Sequence, residues 1–132
     1  MKFKYREYGE AKRPVIPVIL LNHGSYIRCE VLVDSGSDRC YFDADIADIL
    51  GIRPEECNTS EVLGVGGKVS KYFTHPVTIV VGDTSYRVDA GFMPFLGGGV
   101  VSYGFVGQKG FFDHFVVKFN HKKNEIEVDN VD

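Results

Sequence analysis

The chain is poor in the residues that build several common kinds of site. It has no tryptophan and only three cysteines, Cys29, Cys40 and Cys57. An odd count at wide spacing makes neither a disulfide framework nor a zinc site. Reduced, structural thiols in a cytoplasmic protein are the expectation. No stretch approaches the ~18 uncharged apolar residues of a spanning helix. The opening Met1-Lys2-Phe3-Lys4-Tyr5-Arg6 lacks the apolar centre of a secretory leader. No membrane partner is expected. The formal net charge is −3, and no basic cluster stands out. Lys118, Lys122 and Lys123 are followed by Glu125 and Glu127, which fits a solvated hairpin end better than a nucleic-acid footprint.

Other chemistries lack their patterns too. His23, His75, His114 and His121 are scattered, with no metal-ligand spacing. No Gly-x-Ser-x-Gly supports a serine nucleophile. A calcium loop starting at Asp34 would place Gly36 and Arg39 where an oxygen ligand and a glycine belong. Lys68 is not followed directly by Ser or Thr, so Gly67-Lys68-Val69-Ser70 is not a phosphate loop. No metal and no organic cofactor are expected.

What remains describes one globular domain over 1–132. Apolar residues make up 44% and charged residues 25%, with no low-complexity tract. A chain of this length buries roughly two-thirds of its unfolded surface, enough for a core. Fifteen glycines point to many tight turns. Val15 to Leu21 is a β-branched, apolar run, Asn22-His23-Gly24-Ser25 a turn, and Tyr26 to Val33 a second strand. Ile27, Cys29, Val31 and Val33 fall on one face of it. Residues 43–51 read as a short helix, with Asp43 as cap, Ile46, Ile49 and Leu50 as apolar stripe, and Gly51 as stop. Gly64-Val65-Gly66-Gly67 lies between two candidate strands. A hairpin follows, Val77 to Val81 and Tyr86 to Ala90 around Gly82-Asp83. Glycines 97–99 suggest a flexible loop, 109–114 a short helix, and Val116 to Val128 a final hairpin. The sum is mostly β.

One short segment carries chemistry. Asp34-Ser35-Gly36-Ser37 directly follows the apolar run Val31-Leu32-Val33 and occurs once. A carboxylate that ends a buried strand and enters a glycine turn is held rigidly. Taken alone, it is also an ordinary turn, since Asp starts turns and Gly tolerates them.

The order of the pieces decides between those readings. Val31 to Ser37, then Gly64-Val65-Gly66-Gly67 about thirty residues on, then Phe105-Val106-Gly107 before Phe111 to Phe115, resembles the retropepsin-like aspartic proteases. The resemblance covers about residues 15–128. It implies an all-β, closed barrel-like acid-protease fold with one or two short helices. It implies that Asp34 is catalytic, with Ser35, Gly36 and Ser37 supporting the active-site loop. Ser35 would bond across to the opposite loop, and Gly36 would leave room where two loops meet. A Ser37 hydroxyl donating to the carboxylate would favour its ionised form and an acidic optimum. Gly64, Val65, Gly66 and Gly67 would be the flap tip that covers substrate.

Peptide hydrolysis by this route needs two carboxylates sharing a proton. The only other Asp-x-Gly, Asp89-Ala90-Gly91, lacks the hydroxyl and lies too near for a second lobe. The expectation is therefore a homodimeric aspartic endopeptidase, with Asp34 from each subunit on the two-fold axis, acting on an extended peptide. The alternative is a non-catalytic module of the same fold that grips peptide in the same groove.

Overall fold

The computed structural model describes residues 1–94 and 103–132. Glycines 97–99, expected to form a loop, lie outside the described residues. The described residues form twelve strands and one α-helix. The strands are β1 (Lys2–Lys4), β2 (Arg6–Tyr8), β3 (Ala11–Arg13), β4 (Val15–Asn22), β5 (Ser25–Val33) and β6 (Tyr41–Asp43). After the helix α1 (Ala44–Ile49) come β7 (Asn58–Leu63), β8 (Val69–Val81) and β9 (Thr84–Met93). The last three are β10 (Gly104–Val106), β11 (Phe115–Asn120) and β12 (Glu125–Asn130). The helix is not long and apolar enough to cross a membrane.

The β4–β5 hairpin forms as its sequence suggests, in register from Val15↔Leu32 to Asn22↔Ser25. Its turn residues His23 and Gly24 have φ of 44° and 86°. Positive φ at both central positions gives the turn a twist that matches the flanking strands. A seven-stranded sheet runs β4-β5-β10-β6-β9-β8-β7. A further pairing of β4 with β8, Ile19↔Val80 to Leu21↔Thr78, curls this sheet into a ring. The mostly β, barrel-like architecture is thereby shown. β7 lies outside the ring and is exposed along most of its length.

Pro76 interrupts β8 without breaking it. β7 occupies one edge of β8 up to Thr74, and β4 takes over that edge at Thr78. Pro76 falls in the gap between them, where the N–H it lacks is not called on. Inside the ring, Phe92 stacks on Phe73 at 5.6 Å and tilts against Phe42 at 6.0 Å. Ile16, Leu20, Val31, Ile79 and Val106 complete this fully buried centre.

The structure departs from the sequence reading in three places. First, the N-terminal segment is structured. β1 pairs with β12 and β12 with β11, giving a separate three-stranded sheet, while β2 and β3 form a small hairpin. Second, Asp43 does cap α1, its carboxylate accepting from Asp45 N at 2.9 Å, but Ile49 is 55% exposed. The apolar stripe is Ile46, Ala47 and Leu50, because a six-residue helix lying flat on the sheet turns Ala47 inward. Third, residues 109–114 form successive turns and no helix. Gly110 takes φ of +99°, and a Cβ there would come 2.2 Å from Val88 Cγ2. That left-handed residue stops helix propagation before it starts.

Candidate active site

β5 ends at Val33, and the chain enters a turn whose bonds are largely its own. Ser37 N–H donates to the Asp34 carbonyl at 3.1 Å. Gly36 N–H donates to Asp34 Oδ1 at 2.9 Å. The Asp34 side chain therefore closes a turn on itself, as Asp does at such positions. A Cβ on Gly36 would sit 3.3 Å from that same oxygen, so the glycine lets the amide approach. Among the described residues, Asp34 Oδ2 has no hydrogen-bond partner. Asp34 is half-buried, and Ser35 and Gly36 are exposed.

A second segment, far along the chain, braces this turn from behind. β10 runs parallel to β5 with Val106↔Val33, and antiparallel to β6 at Phe105↔Tyr41. Asp34 N–H donates to the Val106 carbonyl at 2.9 Å. Gln108 N–H donates to Ser37 O at 2.8 Å, and Lys109 N–H to Asp38 O at 2.9 Å. The Gln108 side-chain amide adds a bond to Ser35 O at 2.5 Å. Gly107 is where the two segments touch. A Cβ there would fall 2.2 Å from Ser37 O and 2.8 Å from Arg39 O. Those are backbone atoms, so no side chain fits without moving the loop. Phe105-Val106-Gly107 thus sits against the Asp34 loop and fixes its carboxylate in direction.

Ser37 behaves differently from the sequence expectation. Its hydroxyl donates to the Arg39 carbonyl at 2.7 Å. That proton ties down the far side of the loop and is not aimed at Asp34. The Ser35 hydroxyl has no partner within the chain among the described residues.

Gly64, Val65, Gly66 and Gly67 lie at the tip of the β7–β8 hairpin. The tip is closed by Gly64 N–H to Lys68 O at 2.8 Å and Gly67 N–H to Gly64 O at 3.2 Å. Gly66 and Gly67 both take positive φ, 84° and 78°. Val65 is fully exposed, and Leu63 and Val69 are also exposed. Three apolar side chains are thus exposed together at the end of a protruding ribbon, an unusual surface for a lone chain. No hydrogen bond or ion pair joins this tip to the Asp34 turn among the described residues.

Gln108 was not legible as a site residue from sequence. Its only signal is its place directly after Phe105-Val106-Gly107. Cys40 is buried under the loop, its Sγ donating to Lys109 O at 3.6 Å. Burial pushes its thiol up to about 11, away from nucleophile chemistry. Among the described residues, no three His, Cys, Asp or Glu side chains gather into a metal-binding group.

A closed β ring that carries a turn-held Asp and a protruding glycine-tipped hairpin fits the acid-protease class. The comparisons agree. The family model for aspartyl protease matches residues 19–109. The fold matches a retropepsin-like aspartic protease from Rickettsia conorii with a TM-score of 0.63 at 12% identity, covering 96% of this chain and 97% of that one. It also matches EIAV protease in complex with the inhibitor HBY-793, with a TM-score of 0.53 at 21% identity, covering 77% and 88%. Comparison with curated protein sequences gave no match. The chain belongs to the aspartyl protease family and has the retropepsin-like fold.

Proposed function

We propose that this chain is an aspartic endopeptidase that works as a homodimer, hydrolysing peptide bonds with Asp34 from each subunit. The observation that carries the reading is the Asp34 turn. Its Oδ1 is fixed by Gly36 N–H, while Oδ2 has no partner among the described residues. One braced carboxylate is half of the machinery. Amide hydrolysis needs a base to take a proton from water and an acid to protonate the carbonyl oxygen and then the leaving nitrogen. Two facing carboxylates sharing one proton supply both, because like charges a few ångströms apart do not both ionise easily. Their titration belongs to the pair. A two-fold axis beside Asp34 brings two copies of the same loop together, and an isologous contact is the commonest way to form a dimer.

Substrate binds extended between the Asp34 loops and the β7–β8 ribbon. The glycine-rich tip lets backbone amides approach a peptide strand, and Leu63, Val65 and Val69 cover its apolar side chains. Closure of the ribbon excludes water other than the attacking one.

A peptide-library digest tests the reading. The wild-type dimer is expected to cleave, and Asp34→Asn to abolish cleavage while remaining a dimer of unchanged melting temperature. A stable monomer that cleaves nothing at any pH would support the peptide-gripping alternative instead.

A further inference from the structure

The β7–β8 ribbon is poorly supported where it leaves the ring. The last pair that joins β8 to β9 is Phe73↔Phe92. Beyond it, residues 60–72 have only each other as strand partners. Two-stranded ribbons in water are marginal structures. Among the described residues, no side-chain hydrogen bond or ion pair ties residues 58–71 to the rest of the chain.

One side chain at the base of the ribbon does reach back. Tyr72 is the first residue past the last β8–β9 pair. Its ring meets Tyr41 edge-on at a centroid distance of 5.3 Å and an interplanar angle of 84°. The guanidinium of Arg39 lies over the same ring at 5.8 Å. Arg39 is itself anchored, donating to the Asp89 carbonyl at 3.2 Å and to Asp89 Oδ2 at 3.4 Å. The floor under the two tyrosines is a glycine. A Cβ on Gly91 would come within 2.8 Å of Tyr41 and 3.2 Å of Tyr72. The rings therefore seat in a notch that only Gly91 leaves open.

Arg39 also belongs to the catalytic loop. Its carbonyl receives the Ser37 hydroxyl, and its backbone bridges to Lys109. It thus touches the Asp34 loop through its backbone and the ribbon through its side chain.

We propose that Arg39 and Tyr72 are positioning residues that latch the base of the flap ribbon to the catalytic loop and so set how readily the ribbon closes over substrate. The contact is the right strength for this task. A cation over a ring at a partly exposed site is weak enough to slide as the ribbon swings and strong enough to bias its resting angle. Arg suits it better than Lys because the planar guanidinium stacks while its N–H groups hold Asp89. The inference rests on the protease reading only for its effect on catalysis. The latch itself is a property of the resting fold.

Two readouts test it. Backbone hydrogen exchange over residues 58–72, measured without substrate, is expected to speed up about three- to tenfold in Tyr72→Leu and in Arg39→Lys. Tyr72→Phe keeps the ring face and is expected to exchange like wild type. With a cleavable peptide, the same two variants are expected to raise KM about three- to tenfold with a smaller change in kcat, and Tyr72→Phe to restore KM. Exchange in Tyr72→Leu equal to wild type, or Tyr72→Phe as fast as Tyr72→Leu, overturns the latch. If the wild-type protein cleaves nothing, the protease reading falls, and exchange alone still decides the latch.

Discussion

The side-chain amide of Gln108 donates to the backbone carbonyl of Ser35 at 2.5 Å, joining residues that stand 73 apart in sequence. The bond lands one residue after Asp34, on the exposed side of its turn. Together with the backbone bonds from Gln108 and Lys109, it makes the turn a rigid mount. Gln108→Leu removes the side-chain bond and leaves the backbone ones. A typical hydrogen bond contributes about 1 kcal/mol, so stability should fall by no more than that. Activity should fall further, by about tenfold in kcat, because misorienting a catalytic group costs more than losing its support. Parallel melting curves and steady-state kinetics check the split.

Gly107→Ala should be far worse than its one added methyl suggests. The new Cβ would meet Ser37 O and Arg39 O, two backbone atoms that cannot rotate away. Overpacking of this kind costs about 1–3 kcal/mol or more, and here the strain falls on the Asp34 loop. Urea denaturation should show the loss, and cleavage should be undetectable. Full activity in this variant would mean that β10 does not press on the loop.

Ser37→Ala is expected to leave the pH–activity profile where it is. The hydroxyl gives its single proton to Arg39 O, so its loss removes about 1 kcal/mol of loop stability and nothing from the Asp34 carboxylate. The sequence alone suggested the opposite, an optimum made more acidic by Ser37. A profile displaced upward in the alanine variant would show that the hydroxyl turns toward Asp34 in the assembled enzyme.

The thiols provide a check on the core that needs no substrate. Burial pushes Cys29 up to about 12 and Cys40 to about 11, from 9.0. Cys57 is also raised, by burial and then by Glu56, Glu55 and Asp89, but lies near the surface. At pH 8, alkylation should reach Cys57 first, the half-buried and strongly raised Cys29 more slowly, and the buried Cys40 only as the protein unfolds. The linked effect on stability follows from the sign. A group whose pKa is raised on folding holds its proton better in the native state. Its contribution is complete below pH 9, and it is lost as pH climbs toward 11–12. Urea midpoints measured from pH 8 to 11 should therefore decline.

Much of the fold was legible because it is local. The β4–β5 hairpin announces itself by alternation and by His23-Gly24, and the last hairpin by the turn at Asn124, whose φ is 56°. The tip of the β7–β8 hairpin was visible as glycines between two strands. The Asp34 turn followed from a strand ending in Asp-Ser-Gly. What stayed hidden is set by distant partners. β1 is three residues long with polar neighbours, and it exists because Lys2↔Glu127 and Phe3↔Ile126 pair across the whole chain. The helix expected at 109–114 was an error of the opposite kind. Its aromatic spacing fits a helix, but Gly110 at φ +99° turns Phe111 into the core instead. Gln108, Arg39 and Tyr72 carry no signal of their own. Each gains its role from what tertiary packing places beside it.

The central claim is that each active site is shared, with one Asp34 from each of two chains. Subunit mixing tests it most directly. Wild-type protein is allowed to exchange with Asp34→Asn protein at equal concentration, and cleavage is compared with the same total of wild type alone. Random pairing leaves about one quarter of the dimers with two intact carboxylates, so activity should fall to about one quarter. A fall to only one half, with activity proportional to the wild-type fraction, would mean that each chain works by itself and would contradict the account.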